Sequence, residues 1–85
     1  MKDKIKSDFA NLLSDQRKSQ SETQEGLSRK AGLSLRFLQD LEAGRKLPSI
    51  ESIIRLCMAL KITPDDLLVP IMMANKDALD SNEPS

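Results

Sequence analysis

TQEGLSRKAGLSLRFLQDLEAGRKLPS, residues 23–49, is the stretch that decides the fold of this 85-residue chain. Leu27 and Ala31 are apolar and lie four residues apart, which is the spacing of one face of a helix. Gly32 follows directly, and glycine ends helices because it adopts left-handed backbone angles at no steric cost. The stretch therefore begins with a predicted short helix, Gln24–Ala31.

A second short helix follows the corner at once. The hydroxyl of Ser34 can accept a hydrogen bond from an amide in the first turn, which is the role of a helix N-cap. Leu38 and Leu41 then face inward at helical spacing, and Gly44 closes the helix. These signals predict a helix over residues 35–43, joined to the first by a tight turn.

The pattern T-Q-x-x-L-S-x-x-A-G-L-S, followed by R-F-L-x-x-L-E-x-G-x-x-x-P-S, resembles the Cro/CI-type (XRE) helix-turn-helix family. The resemblance covers about residues 9–68. It implies an all-α fold, a compact five-helix lambda-repressor-like DNA-binding domain, with the helix over residues 35–43 in the major groove. The function that it implies is sequence-specific binding of double-stranded DNA by a small transcriptional regulator, a repressor of nearby promoters.

The rest of the chain supplies the other helices. Residues 4–18 form the first, with apolar residues along one stripe. A fourth helix is predicted from the cap at Ser49 to about Leu60. A fifth begins at Thr63-Pro64, and we expect Pro70 to end it near Val69 and to leave room for a short sixth helix over residues 71–79. The predicted inward residues of the fourth helix step by three and four: Ile50, Ile53, Ile54, Cys57 and Leu60.

These boundaries divide the chain into two parts. Residues 1–69 form the predicted helix-turn-helix domain. Residues 70–85 form a C-terminal extension, with a candidate dimerisation segment and then a tail, D-S-N-E-P-S, that is expected to be disordered.

Composition limits the function classes. The formal net charge is zero, which by itself argues against a nucleic-acid binder. The charge is uneven, however, because residues 1–46 hold ten Lys and Arg against seven Asp and Glu, whereas residues 47–85 hold three against six. Basic charge therefore accompanies the predicted reading helices. No apolar run is long enough to cross a membrane and no signal peptide is recognisable, so a cytoplasmic protein is expected.

Four residues of the third helix are candidates for reading bases, because they are expected to point outward from its first two turns: Leu35, Arg36, Gln39 and Asp40. Arg36 can donate two hydrogen bonds to guanine, Gln39 can pair with adenine, and Leu35 can pack on a thymine methyl group. Asp40 can accept from the cytosine amino group or act mainly to exclude wrong bases. An ordinary solvated helix face is the alternative interpretation of all four.

Five further residues are candidates for the DNA backbone: Thr23, Gln24, Phe37, Arg45 and Lys46. Gln24 opens the second helix, whose N-terminus favours phosphate, and the resemblance implies this role for it together with Thr23. Arg45 and Lys46 lie in the loop after the third helix. Phe37 either stacks on a sugar or seals the helix edge. The alternatives are a plain capping pair and a solvated basic loop.

The resemblance also implies a structural ion pair between Arg17 on the first helix and Glu42 at the end of the third. Specific binding by so small a domain usually requires a dimer on an inverted-repeat operator. We therefore expect a homodimer, although residues 71–73 could instead fold back on their own core. The candidate interface residues are Leu56, Met58, Val69, Ile71, Met72 and Met73.

Other function classes have little support in the residues. The chain lacks His, a Cys pair and a Gly-rich phosphate loop, so no enzyme activity, metal site or cofactor is predicted. Cys57, the single cysteine, has an inward position and is expected to be an inert core residue rather than a redox sensor. Two alternatives stay open: an antitoxin or restriction-system controller that also binds a protein partner, and a protein-binding module that has lost DNA reading.

Overall fold

The computed structural model describes residues 2–77, which fold into five α-helices without a strand in that range. The expected all-α, five-helix architecture is therefore confirmed. No helix within these residues is long and apolar enough to cross a membrane. The helices are α1 (Lys2–Ser19), α2 (Gln24–Ala31), α3 (Leu35–Glu42), α4 (Ile50–Leu60) and α5 (Pro64–Ala74).

One aliphatic core holds the helices together. Helix α1 packs against α3 and α5, and α2 packs against α3 and α4, so α3 is held from two sides. Burial of a large apolar side chain stabilises a fold by about 1.5–3 kcal/mol, which makes the core the main source of stability. Its largest fully buried members are Phe9, Leu13, Leu27, Leu38, Leu41, Leu56, Leu60 and Leu67.

The corner between α2 and α3 has the predicted caps. Thr23 Oγ1 accepts a hydrogen bond from the Gly26 amide at 2.9 Å, and Ser34 Oγ accepts one from the Phe37 amide at 3.0 Å. Gly32 has φ +69°, the left-handed conformation that glycine adopts most easily. These caps and Gly32 therefore define where α2 ends and where α3 begins.

Helix α4 has a different inward face from the predicted one. Ile50 and Ile54, expected inside, are 79% and 49% exposed, whereas Ser52 and Leu56 are buried. Ser52 is tolerated inside because its hydroxyl lies 2.8 Å from that of Ser49. The helix is apolar on nearly every side, so its sequence period does not define which side faces the core. The other predicted inward residues are buried or half-buried: Ile53, Cys57 and Leu60.

The expected break at Pro70 is wrong, because α5 continues through Pro70 to residue 74. Leu67 and Ile71, on either side of the proline, are buried in the core, and this packing outweighs the helix-breaking tendency of Pro70. The side-chain amide of Asn75 then donates to the Ile71 carbonyl at 2.7 Å and to Asp8 on α1 at 3.1 Å. These contacts fasten the end of α5 to α1.

The expected C-terminal extension changes accordingly. Residues 71–74 belong to α5 and not to a sixth helix, so the division at residue 69 falls inside a continuous helix. The last two residues of the expected sixth helix, 78–79, and the whole of the expected disordered tail lie outside the described residues.

Cys57 lies in the core and is 4% exposed. Burial raises the pKa of its thiol, and the negative charge of Asp66 raises it further. The protonated thiol is the unreactive form, so Cys57 has the character of a packed core residue.

Candidate nucleic-acid interface

Helix α3 has one buried face and one open face. Leu38 and Leu41 are fully buried, whereas the side chain of Arg36 is 84% exposed and Gln39 is exposed. Leu35 lies half-buried in the first turn. Arg36, Gln39 and Leu35 thus have the orientation and chemistry that a base-reading helix requires.

Asp40 does not lie open on this face as expected. Its side chain is only 7% exposed, and its carboxylate contacts three cations. Arg45 Nη1 lies 3.0 Å from Oδ1, Lys46 Nζ lies 3.4 Å from Oδ2, and Arg36 Nε lies 3.6 Å from Oδ1. The expectation that Asp40 points outward is therefore wrong, because the loop after α3 folds back and brings two cations to the carboxylate.

The charge state of Asp40 follows from these neighbours. Burial by itself raises the pKa of the carboxyl group, but hydrogen bonds from Arg45 and Lys46 and the charge of Arg36 outweigh it and lower the pKa. Asp40 is thus ionised at neutral pH. Three cations surround one carboxylate, so this side of α3 keeps a net positive charge.

The loop cations remain accessible despite this contact. The side chains of Arg45 and Lys46 are 66% and 56% exposed. Lys46 Nζ also lies 5.8 Å from the ring centre of Phe37, which is within the range of a cation–π contact. Phe37 itself is half-buried and packs against the core, and the side chain of Lys46 lies over its ring.

Gln24 lies at the first position of α2, where backbone amides lack partners within the helix and the helix dipole favours an anion. Its side-chain Nε2 donates to Glu42 Oε1 at 3.1 Å. The hydroxyl of Thr23 serves as the cap of α2. The N-terminus of α2 and the end of α3 are thereby connected through Glu42.

Glu42 belongs to a nearly buried ion pair between α1 and α3. Arg17 donates to both of its carboxylate oxygens, from Nε at 2.8 Å and from Nη2 at 2.9 Å. A third hydrogen bond runs from Arg17 Nη1 to the Glu22 carbonyl at 2.9 Å. The hydrogen bond to Glu42 raises the pKa of Arg17 above its usual value. The pair joins α1 to the end of α3.

The candidate dimer residues fall into two groups. Leu56 and Ile71 lie in the core, at 0% and 8% exposure, so their assignment to an interface is wrong. Their inward positions follow from the changed face of α4 and the continuation of α5. The other four are exposed by 45% to 74%: Met58, Val69, Met72 and Met73.

The sequence interpretation named these residues but missed some of their contacts. The contact of Gln24 with Glu42 joins residues 18 positions apart and has no local signature. The pairing of Arg36 with Asp40 does have one, since oppositely charged residues four apart meet on a helix. Ile50 and Ile54, expected inside, add apolar area to the surface of α4.

These features define a class of protein. A capped pair of short helices meets at a tight corner, and the second helix exposes Arg36 and Gln39 beside a cationic loop. This is the architecture of a helix-turn-helix DNA-binding domain. Residues 2–77 contain no group of three or more metal-ligating side chains.

The comparison with known families agrees with this class. Residues 13–67 match the helix-turn-helix family HTH_3, and the chain belongs to that family. The resemblance noted in the sequence is therefore confirmed. No curated protein matches the sequence.

Solved structures include similar regulators. The chain is 29% identical to the restriction-modification controller protein C.AhdI from Aeromonas hydrophila, with a TM-score of 0.71 over 73% of this chain and 94% of that one. It is 26% identical to the clp gene regulator ClgR from Corynebacterium glutamicum, with a TM-score of 0.75 over 91% and 84% of the two chains. An HTH_3 family transcriptional regulator from Vibrio cholerae, 21% identical, has a TM-score of 0.76 over 99% of this chain and 45% of that one, and this likeness concerns the fold alone.

Proposed function

We propose that the chain is a transcriptional regulator that binds double-stranded DNA sequence-specifically and represses nearby promoters. The observation that carries the proposal is the open face of α3, where Arg36 and Gln39 project from a helix that is capped and packed on its other side. Membership of the helix-turn-helix family supports DNA binding, and it supports a regulatory rather than an enzymatic role in the cytoplasm.

In this proposal α3 lies in the major groove. Arg36 donates to the O6 and N7 acceptors of a guanine, Gln39 pairs with the N6 and N7 of an adenine, and Leu35 contacts a thymine methyl group. Each good bidentate contact discriminates against a wrong base by about 1–3 kcal/mol. Reading therefore depends chiefly on the first two turns of α3.

Phosphates on the two flanks fix the position of α3. Gln24 and the N-terminus of α2 bind one strand, since first-turn amides and the helix dipole favour an anion. Arg45 and Lys46, which are more than half exposed, bind the backbone on the other flank. These contacts orient the domain and make its affinity depend on salt.

The proposed active form is a homodimer on an inverted-repeat operator. One recognition helix reads few base pairs, and a two-fold dimer doubles the site while it matches the symmetry of the DNA. The exposed Val69, Met72 and Met73 lie together near the end of α5, and methionines adapt readily to a partner surface. Met58 on α4 adds a fourth exposed apolar side chain.

A second candidate is control of a restriction-modification system, which is a more specific form of the same function. It is favoured by the similarity to C.AhdI, of which this chain covers 94%. A binding site upstream of neighbouring restriction and methylation genes distinguishes this role from that of a general repressor.

Selection of bound duplexes from a random DNA pool at near-physiological salt tests the proposal. We expect an enriched inverted repeat with half-sites about one helical turn apart. Sedimentation of the free protein at tens of micromolar should give the mass of a dimer. A folded protein that enriches no sequence contradicts DNA reading, whereas a monomer mass together with an enriched single half-site contradicts only the dimer.

A further inference from the structure

Within the part of the chain that the structure describes, Asp40 is the side chain of the reading helix that forms ion pairs with both loop cations, Arg45 and Lys46. Its carboxylate contacts Arg36, one turn earlier on α3, and also Arg45 and Lys46, which follow the helix. Asp40 is nearly buried, whereas the three cations are mostly exposed. One fixed carboxylate thus lies beneath three side chains that are otherwise long and flexible.

We propose that Asp40 is a positioning residue that sets the sequence specificity of DNA binding by holding Arg36, Arg45 and Lys46 in one arrangement. The inference rests on the proposed function of α3. It differs from direct base reading, because both oxygens of Asp40 are already engaged, Oδ1 by the two arginines and Oδ2 by the lysine. A carboxylate that is only 7% exposed also offers little surface to a cytosine amino group.

The geometry at Arg36 suits a guided contact with guanine. Asp40 approaches Arg36 through Nε, at 3.6 Å, and among residues 2–77 no hydrogen bond occupies the two terminal nitrogens of the guanidinium. Those two nitrogens can donate together to guanine O6 and N7. Holding a long side chain near its bound position before DNA arrives lowers the entropy lost on binding, so the correct base is favoured.

The same carboxylate weakens binding to other sequences. Its negative charge lies among the cations that approach phosphates, and it partly neutralises Arg45 and Lys46. On a duplex without the correct guanine, Arg36 gains no base contact that would compensate for this charge. Asp40 therefore lowers non-specific affinity while it supports the specific contact.

The test compares the affinity of each variant for the selected operator with its affinity for a scrambled duplex of equal length. Asp40→Asn removes the charge but keeps the size of the side chain, and Asp40→Ser is a second neutral variant. Asp40→Glu keeps the charge. Asp15→Asn is the matched control, because exposed Asp15 lies on α1 beside α5 and its loss changes net charge equally.

We expect Asp40→Asn and Asp40→Ser to lower the ratio of operator to scrambled affinity by about tenfold, the scale of one good base contact. Binding to the scrambled duplex should become tighter. Its salt dependence should steepen by about one unit of the log–log slope, since released cations contact an additional phosphate. Asp40→Glu should restore most of the ratio, and Asp15→Asn should leave it unchanged.

The proposal is overturned if a folded, neutral Asp40 variant keeps the wild-type ratio, or if Asp15→Asn lowers the ratio as much. Circular dichroism of each variant verifies folding, and either neutral variant suffices for the comparison. A wild-type protein that binds both duplexes equally contradicts the proposed DNA reading itself. The two failures are therefore distinguishable in one set of titrations.

Discussion

Glu42 and Asp40 lie two residues apart on α3 and are buried to the same degree, yet their partners differ. The side chains of the two acids are 6% and 7% exposed. Glu42 is paired with Arg17, which is itself only 12% exposed. Asp40 is paired with cations that are 56% to 84% exposed.

This difference teaches that the exposure of the partner decides what a buried carboxylate does. A pair in which both members leave water becomes part of the fold, since the loss of either strands a charge. A pair whose cations stay in water contributes little stability, because solvent screens it, but its cations remain free to meet a ligand. We therefore expect Glu42 to contribute mainly to the stability of the fold and Asp40 to act mainly on the exposed cations.

The largest expected effect is the loss of stability in Glu42→Ala. Removing Glu42 leaves the Arg17 guanidinium nearly buried without its partner and also releases Gln24. We expect a loss of about 3 kcal/mol, at the low end for breaking a buried pair because Arg17 keeps some contact with solvent. For a domain of this size the melting temperature should fall by about 12–24 °C. Asp40→Ala, the matched variant, should lower it far less, and equal losses would remove the distinction between the two acids.

The second largest expected effect is a difference in how salt changes the coupling energies of the two ion pairs. Double-mutant cycles for Arg17 with Glu42 and for Arg45 with Asp40, measured by urea unfolding, give the coupling of each pair. Between 0.05 and 1 M sodium chloride the Debye length falls from more than 10 Å to about 3 Å. We expect the coupling of Arg45 with Asp40 to approach zero at high salt while that of Arg17 with Glu42 largely persists. Parallel loss of both couplings would contradict the assigned difference.

The smallest expected effect is a pH dependence that belongs to Asp40. Its folded-state pKa is lowered, so its contribution to stability is complete above the unfolded value of about 3.9 and is lost as the pH falls through the folded value. The melting temperatures of wild type and Asp40→Asn should therefore differ by a constant amount above pH 5. They should converge toward pH 2. A difference that grows on acidification would show the opposite sign of the shift.

The helix-turn-helix segment is predictable from sequence because its signals are local. Each end of α2 and α3 is fixed by a cap residue or a left-handed glycine within a few positions, as at Thr23, Gly32 and Ser34. In α3 the buried Leu38 and Leu41 lie three residues apart, while Arg36 and Gln39 are exposed, so the orientation of these four residues follows from the helical period. These features suffice to predict the fold and the outward positions of Arg36 and Gln39.

The parts that sequence does not predict depend on contacts between distant residues. Pro70 continues a helix because Leu67 and Ile71 are packed in the core. The face of α4 is set by its neighbours, which leave Ile50 outside and accept Ser52 inside. Asp40 is buried because the chain after α3 folds back over it. Helical periodicity does not predict the path of that loop.

The central claim is that the open face of α3 reads base edges, and titration of Arg36→Ala with two duplexes tests it most directly. Fluorescence anisotropy would give the affinities of wild type and variant for the selected operator and for its scrambled counterpart. We predict that the variant loses about 5- to 150-fold on the operator, equivalent to about 1–3 kcal/mol, and much less on the scrambled duplex. An equal loss on both duplexes would make Arg36 a phosphate contact and would contradict the account, as would no loss on either.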